Sequence, residues 1–345
     1  MAERTIVTGG AGYIGSHVCV ELLNAGRDVL VIDNFDNSSS EALVRVQEIT
    51  GKSLQSIEAS LGAPGDQDRI IEAVTVFRAD SAIHLAGLKA VGESVAEPIR
   101  YYETNIGATF TLLKAMDAVG AKTLVFSSSA TVYGDLNESP VDENGKTGPT
   151  NPYGRTKFLI EEMLRDHVVA HPDWRIVNLR YFNPVGAHPS GRIGEDPDGP
   201  PNNLFPYIAQ VAVGRREKLA VYGNDYPTPD GTGVRDYIHV SDLARGHLDA
   251  LDYLANKSGG GAENINLGTG VGYSVLDAIA AFKRASNRDI PYEIAPRRDG
   301  DVATIYAKPD RAKAKLGWRA TKTLDEMCAD TWRWQRENPR GYDND

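Results

Sequence analysis

Gly9, Gly12 and Gly15, each separated from the next by two residues, follow the apolar run at 5–8 and lead into 14–23, where apolar residues recur at helical spacing. A strand, a tight glycine turn and a helix, in that order, bring backbone N–H groups at a helix N-terminus close to a bound pyrophosphate. Further apolar runs at 28–32, 82–85, 123–127 and 176–180 read as strands, with a long crossover helix at 97–119 and Gly26 and Gly120 as helix terminators. The expected class is therefore α/β, a doubly wound Rossmann-type parallel sheet.

With 345 residues the chain exceeds the usual size of one core, so a smaller second lobe is expected. After Arg180 the texture changes to a Pro/Gly-rich stretch, 183–206, too long for a simple connector and so expected to be functional. Helices are expected beyond it at 204–213, 241–254, 274–284 and 323–335, the last opened by the capping box Thr323-x-x-Glu326. This divides the chain into a dinucleotide-binding domain, 1–182, and a C-terminal α/β lobe, 183–345, that is mainly substrate-binding, with later segments free to rejoin the first sheet.

The formal net charge of −10 argues against nucleic acid as a partner, because such binders present a basic face. An anionic small substrate must then be held by a few local arginines. No apolar run reaches membrane-spanning length, and Met1-Ala2-Glu3-Arg4 passes at once into the first strand, so no signal peptide is read and a cytoplasmic protein is expected. Cys19 and Cys328 form no Cys-x-x-Cys pair, which suits a reducing compartment. No metal site is expected: His167-x-x-x-His171 lacks a third ligand and Pro172 ends its helix, so it reads as a solvated helix end. The sequon Asn37-Ser38-Ser39 has no meaning without secretion, and Trp332 and Trp334 read as packing of the final helix.

Asp33 ends the second strand about 20 residues beyond the glycine loop, where a carboxylate accepts from ribose hydroxyls and repels a 2′-phosphate, favouring NAD over NADP. Tyr153 and Lys157 stand four apart at the start of a helical stretch, so they share a face. A neighbouring ammonium favours the phenolate, and such a tyrosine accepts a hydroxyl proton as the adjoining carbon is oxidised. Ser129 lies where the preceding strand ends, placed to hydrogen-bond the reacting hydroxyl; Ser127 and Ser128 read as cap or turn residues.

The glycine loop, Ser129 and Tyr153-x-x-x-Lys157 resemble the extended short-chain dehydrogenase/reductase family. Longer segments are similar to its UDP-glucose 4-epimerase branch: Leu85-Ala86-Gly87-Leu88-Lys89-Ala90-Val91-Gly92-Glu93-Ser94, Ser129-Ala130-Thr131-Val132-Tyr133-Gly134, Arg180-Tyr181-Phe182-Asn183-Pro184-Val185-Gly186-Ala187-His188, Val234-Arg235-Asp236-Tyr237-Ile238-His239 and Ala295-Pro296-Arg297-Arg298-Asp299-Gly300-Asp301. The resemblance runs from residue 5 to residue 342. It implies catalytic roles for Ser129, Tyr153 and Lys157. It implies an NAD site lined by Gly9, Gly12, Tyr13, Ile14, Gly15, Asp33, Asn34, Phe35, Asp36, Asn37, Ser38, Ser60, Leu61, Leu85, Ala86, Gly87, Lys89 and Phe182, together with the catalytic residues.

By the same resemblance Asn183, Asn203, Arg235 and Arg298 engage the diphosphate of a nucleotide sugar, and Ala220, Val221, Tyr222 and Asp301 contact uridine. Lys89, Ser129, Tyr153, Leu204 and Tyr237 also belong to the implied substrate site, and Ile305 borders the sugar pocket, where bulk excludes N-acetylhexosamines. The implied reaction is reversible C4 epimerisation of UDP-galactose and UDP-glucose through a 4-keto intermediate, with tightly bound NAD reduced and reoxidised each cycle, in a homodimer joined by first-lobe helices. Ser60 departs from the family pattern, which places an aspartate near the adenine. Two alternatives stand beside this reading. A nucleotide-sugar 4,6-dehydratase carries Asp-Glu after the active-site Ser/Thr position, where this chain has Ala130-Thr131; a non-catalytic NAD-sensing module has no need of Tyr153 and Lys157.

Overall fold

Neighbouring residues of strand β1 (Arg4–Thr8) feed two different cores, because side chains alternate across a strand. Val7 joins Val18, Cys19 and Leu22 of the helix Tyr13–Asn24, whereas Ile6 joins Ile70 and Val74 of the helix Gln67–Phe77. The computed structural model that shows this describes residues 3–343 apart from 198, 200, 299 and 300; Asp299 and Gly300 of the expected substrate segment thus lie outside the described residues. β2 (Asp28–Asp33), β3 (Gln55–Glu58), β4 (Ser81–His84), β5 (Thr123–Ser129), β6 (Arg175–Tyr181) and a seventh strand, Gly261–Leu267, complete a parallel sheet ordered β3-β2-β1-β4-β5-β6-seventh. Helices cover both faces, which is why β4 and β5 are buried at every residue. The order reverses between β1 and β4, the place where doubly wound sheets bind ligands.

All five expected strands and the crossover helix, Pro98–Val119, are present. The helix expected at 241–254 forms as Val240–Asn256, but it covers the first sheet instead of the second lobe: Leu243, Leu251 and Leu254 share a core with Val18 and Leu22. The second lobe has its own core of Phe205, Ile208, Phe282, Met327 and Trp332, drawn from the helices Leu204–Ala212, Val275–Ser286 and Leu324–Glu337. The last of these opens on the expected capping box of Thr323 and Glu326.

Short strand pairs frame this lobe: Asn183–Val185 beside Tyr237–His239, Thr304–Ile305 beside Val234–Arg235, and Leu219–Tyr222 beside Tyr292–Ala295. They carry many of the expected substrate residues. The rings of His167 and His171 pack 4.6 Å apart, with Trp174 against His167, and no cluster able to hold a metal occurs among the described residues. Among those residues no helix is long and apolar enough to cross a membrane.

Candidate active site

The glycine loop is shaped by close backbone approach. Gly9 has φ +69°, and a Cβ there would stand 2.8 Å from the backbone nitrogen of Ala86; one at Gly15 would stand 2.1 Å from the Gly9 carbonyl oxygen. Gly12 precedes the helix Tyr13–Asn24 without a side-chain cap, so its first-turn N–H groups, including those of Tyr13 and Ile14, have no intrahelical partner. Tyr13 donates from its hydroxyl to the Gly186 carbonyl at 2.7 Å, tying this loop to the second lobe.

Asp33 accepts from Ala11 N (2.9 Å) on Oδ2, and from Phe35 N (3.0 Å) and Ser38 Oγ (2.9 Å) on Oδ1, which folds Asn34, Phe35, Asp36, Asn37 and Ser38 around it. A carboxylate has about four acceptor positions, so Oδ2 keeps capacity for a ribose hydroxyl. Phe35 pays for this turn with φ +56°. Ser60 donates its backbone N–H to Asp66 at 2.8 Å, beside the buried Leu61. These features fit the adenosine and pyrophosphate parts of a dinucleotide: a cradle that a Cβ would fill, open N–H groups and an oriented carboxylate.

At the end of β4, Leu85 N and Ala86 N donate to Thr8 Oγ1 at 3.1 and 3.2 Å. Thr8 then gives its proton to His84 Nδ1 (2.7 Å), and His84 Nε2 bonds Thr109 (3.1 Å); burial pushes this imidazole down to about 3, so it stays neutral. Asn105 binds both backbone groups of Leu88, at 2.8 and 3.1 Å, and sits against Gly87, whose φ is +153°. Sequence reasoning missed Thr8, His84 and Asn105; a buried asparagine amid the apolar residues of 98–119 was the available signal for the last. Lys89 extends from this segment to Glu195 at 3.4 Å.

Ser129 is the last residue of β5, and Tyr153 and Lys157 enter on the helix Pro152–Ala170. That helix starts where it does because Asn151 accepts from Gly154 N at 2.8 Å and Pro152 sits in its first turn. Lys157 is 5% exposed; its ammonium donates to the Ser127 carbonyl at 2.8 Å and lies 5.9 Å from the centre of the Tyr153 ring. Burial pushes it down to about 8. Burial pushes the Tyr153 phenol up, opposed by a hydrogen bond with Ser129. The Lys157 ammonium lies over the face of the Tyr153 ring, and burial is the larger influence on the phenol. Ser129 Oγ also accepts from Thr131 N at 3.2 Å.

Ser127 and Ser128 are not turn residues. They are buried in β5, where Ser127 bonds the Tyr181 hydroxyl and Ser128 donates to Glu161. Glu161, one turn beyond Lys157, is paired with buried Arg180, whose guanidinium stacks 4.9 Å over Tyr133. This ion pair braces the strand end from behind.

On the second-lobe side, Ile305 packs on a cluster that includes Ala130, Val132, Tyr133 and Phe182. Tyr306 points elsewhere, 3.0 Å from where a Cβ of Gly272 would stand, so Ile305 is the one of the two that packs on this cluster. Buried Asp236 accepts from Ala307 N and Gly270 N and from Thr269, fixing this crossing; Asn183 N donates to its carbonyl at 3.0 Å. Arg298 Nε donates to Asp301 at 2.9 Å and stacks 4.9 Å over Tyr222, while Arg235 lies 3.9 Å from Asp301, so these four gather in one group. Ala220 and Val221 share a strand with Tyr222. Tyr237 is buried edge-on to Phe205, and Leu204 follows Asn203, whose amide donates to Glu195 at 2.9 Å.

A doubly wound sheet with a glycine loop at its switch point and a Ser–Tyr–Lys group beside it defines a dinucleotide-dependent enzyme of the extended short-chain dehydrogenase/reductase class. A family model described as GDP-mannose 4,6 dehydratase matches residues 6–331. UDP-glucose 4-epimerase of Bacillus subtilis is 58% identical over 337 residues, covering 98% of each chain, and that of Homo sapiens is 55% identical over 349 residues, covering 99% of each. The crystal structure of UDP-glucose 4-epimerase from Bifidobacterium longum, in complex with NAD+ and UDP, is 52% identical, covers 98% of this chain and 99% of its own, and superposes with a TM-score of 0.94. The chain belongs to the UDP-glucose 4-epimerase family.

Proposed function

We propose that this chain interconverts UDP-galactose and UDP-glucose by reversible epimerisation at C4, through a 4-keto sugar, with tightly bound NAD reduced and reoxidised in every cycle. The observation that carries the reading is the buried Lys157 ammonium, bonded to the Ser127 carbonyl and facing the Tyr153 ring, at the end of the strand that Ser129 closes. The loop residues, 33–38, Ser60, Leu61, 85–87, Lys89 and Phe182 would hold the cofactor. When bound, NAD supplies a reversible oxidant for C4 of the sugar. Tyr153, as phenolate, takes the 4-hydroxyl proton; Ser129 hydrogen-bonds the same oxygen; Lys157 stabilises the phenolate. Once the keto sugar has presented its other face, Tyr153 returns the proton, and net redox is zero. Ala130-Thr131 offers no acid for eliminating water, which disfavours the dehydratase reaction.

Residues 183–345 supply most of the substrate site in this reading. Arg235 and Arg298 give charge-assisted donors to the diphosphate, with Asn183 and Asn203 beside them, and Ala220–Tyr222 and Asp301 take uridine. Leu204, Tyr237 and Ile305 shape the sugar pocket. The protein acts in the cytoplasm as a homodimer: two buried unpaired cysteines support the first point, and exposed Ile99 and Phe110 on the helix Pro98–Val119 support the second. Tyr153→Phe tests the core of the proposal. It is expected to lower kcat by about 10²–10⁴-fold while leaving UDP binding intact; near-native turnover removes Tyr153 from its role.

A further inference from the structure

In the loop that runs from the strand Asn183–Val185 to the helix Leu204–Ala212, Glu195 turns its carboxylate inward, and the mechanism above does not use it. Its side chain is 10% exposed, and a buried carboxylate requires donors. Among the described residues it has two: Asn203 Nδ2 at 2.9 Å and Lys89 Nζ at 3.4 Å, both on Oε1. Its main chain is fixed by the C-terminal part of the protein. Trp334 Nε1 donates to the Glu195 carbonyl at 3.2 Å, Gly194 N donates to the Tyr342 hydroxyl at 3.3 Å, and Tyr342 N donates to Asp196 at 2.8 Å. A Cβ at Gly194 would stand 2.4 Å from the Trp334 ring, so the chain lies flat on that indole.

Asn203 precedes the helix Leu204–Ala212 and is of the residue type that ordinarily caps, yet it makes no side-chain cap; its amide goes to Glu195 instead. An anion placed this near groups that hold a diphosphate opposes binding unless it is neutralised. Lys89, half exposed, supplies the neutralising charge. With its lysine half exposed and 3.4 Å away, the pair adds little to stability, and its consequence is for ligand binding.

We propose that Glu195 is a positioning residue of the nucleotide-sugar site: its carboxylate holds the Asn203 amide in place, and Lys89 masks its charge from the incoming diphosphate. This rests on reading Asn203 and Lys89 as ligand-binding groups. Calorimetric titration of the NAD-bound enzyme with UDP tests it. Glu195→Ala is expected to weaken UDP binding about tenfold, and Glu195→Gln, which keeps an oxygen acceptor for Asn203, by about threefold or less. Lys89→Met leaves the carboxylate unmasked and weakens binding; adding Glu195→Gln to it recovers affinity severalfold, a rescue that a merely structural role does not give. Native affinity in Glu195→Ala, equal losses in the Ala and Gln variants, or no rescue in the double variant overturns the proposal. If Glu195→Ala does not fold, the rescue of Lys89→Met decides alone. Asn203→Ala separates the two readings: unchanged UDP affinity there overturns the substrate-site reading and this proposal together, whereas a loss there with none in Glu195→Ala overturns this proposal only.

Discussion

Lys157 shows how a single side chain trades stability against chemistry. Its pKa falls from 10.5 to about 8 because the ammonium is buried, so at pH 7 the folded state holds a charge that the unfolded state solvates better. Below pH 8 both states are protonated and the penalty is complete; between 8 and 10.5 the folded state releases its proton first, and stability rises with pH. Lys157→Met is therefore expected to stabilise the protein by about 1–3 kcal/mol at pH 7, with the gain shrinking by pH 10 and turnover largely lost. Urea unfolding of both proteins at the two pH values checks it, and a gain that grows with pH contradicts it. Ile305, stiff at χ1, is expected to hinder an acetamido group at the sugar 2-position by about 1–3 kcal/mol. Comparing kcat/KM for UDP-galactose and UDP-N-acetylgalactosamine in the native protein and Ile305→Gly tests this; similar native values for the two sugars, or no gain with glycine, rule it out. The placement of Tyr153, Lys157 and Asp33 on their elements was legible because each belongs to a local spacing. Asn105 and Glu195 were not, since Asn105 meets Thr156 and Glu195 meets Lys89 only when the fold brings separate segments together.

Among the elements, strands buried on both faces announced themselves as short apolar runs. β3, Gln55–Glu58, gave no such signal because this edge strand is largely exposed and polar. The seventh strand was hidden by its mixed start, Gly261-Ala262-Glu263-Asn264, and by the long sequence between it and β6, its parallel partner. Val240–Asn256 was legible as a helix, yet its assignment to the second lobe failed: amphipathicity tells that a helix has an apolar face but not which sheet receives it. The helix Pro98–Val119 carries an outward apolar face, with Ile99 66% and Phe110 50% exposed. If two copies meet there, Phe110→Asp or Ile99→Asp yields a monomer by light scattering without loss of the folded far-UV spectrum; an unchanged dimer, or a monomeric native protein, refutes that interface.

At the scale of the whole molecule, two apolar cores clamp the first sheet from both faces, a third builds the second lobe, and a smaller cluster around Tyr133, Phe182 and Ala307 joins the two lobes. Polar ties run across the same join: Tyr13 to Gly186, the acceptor Asp236, and the Lys89–Glu195–Asn203 chain. A molecule carrying ten net negative charges thus concentrates Lys89, Lys157, Arg235 and Arg298 where anionic ligands are proposed to bind. The central claim is that both halves of the redox cycle occur in one site on one retained cofactor. It is tested most directly by giving the purified protein UDP-galactose, with no added cofactor, and following the sugar signals by NMR alongside the absorbance of reduced nicotinamide. The account predicts that UDP-glucose appears and reaches a steady ratio with UDP-galactose while reduced nicotinamide does not accumulate; reduced nicotinamide rising in step with sugar consumption, or no UDP-glucose even with NAD supplied, would contradict it.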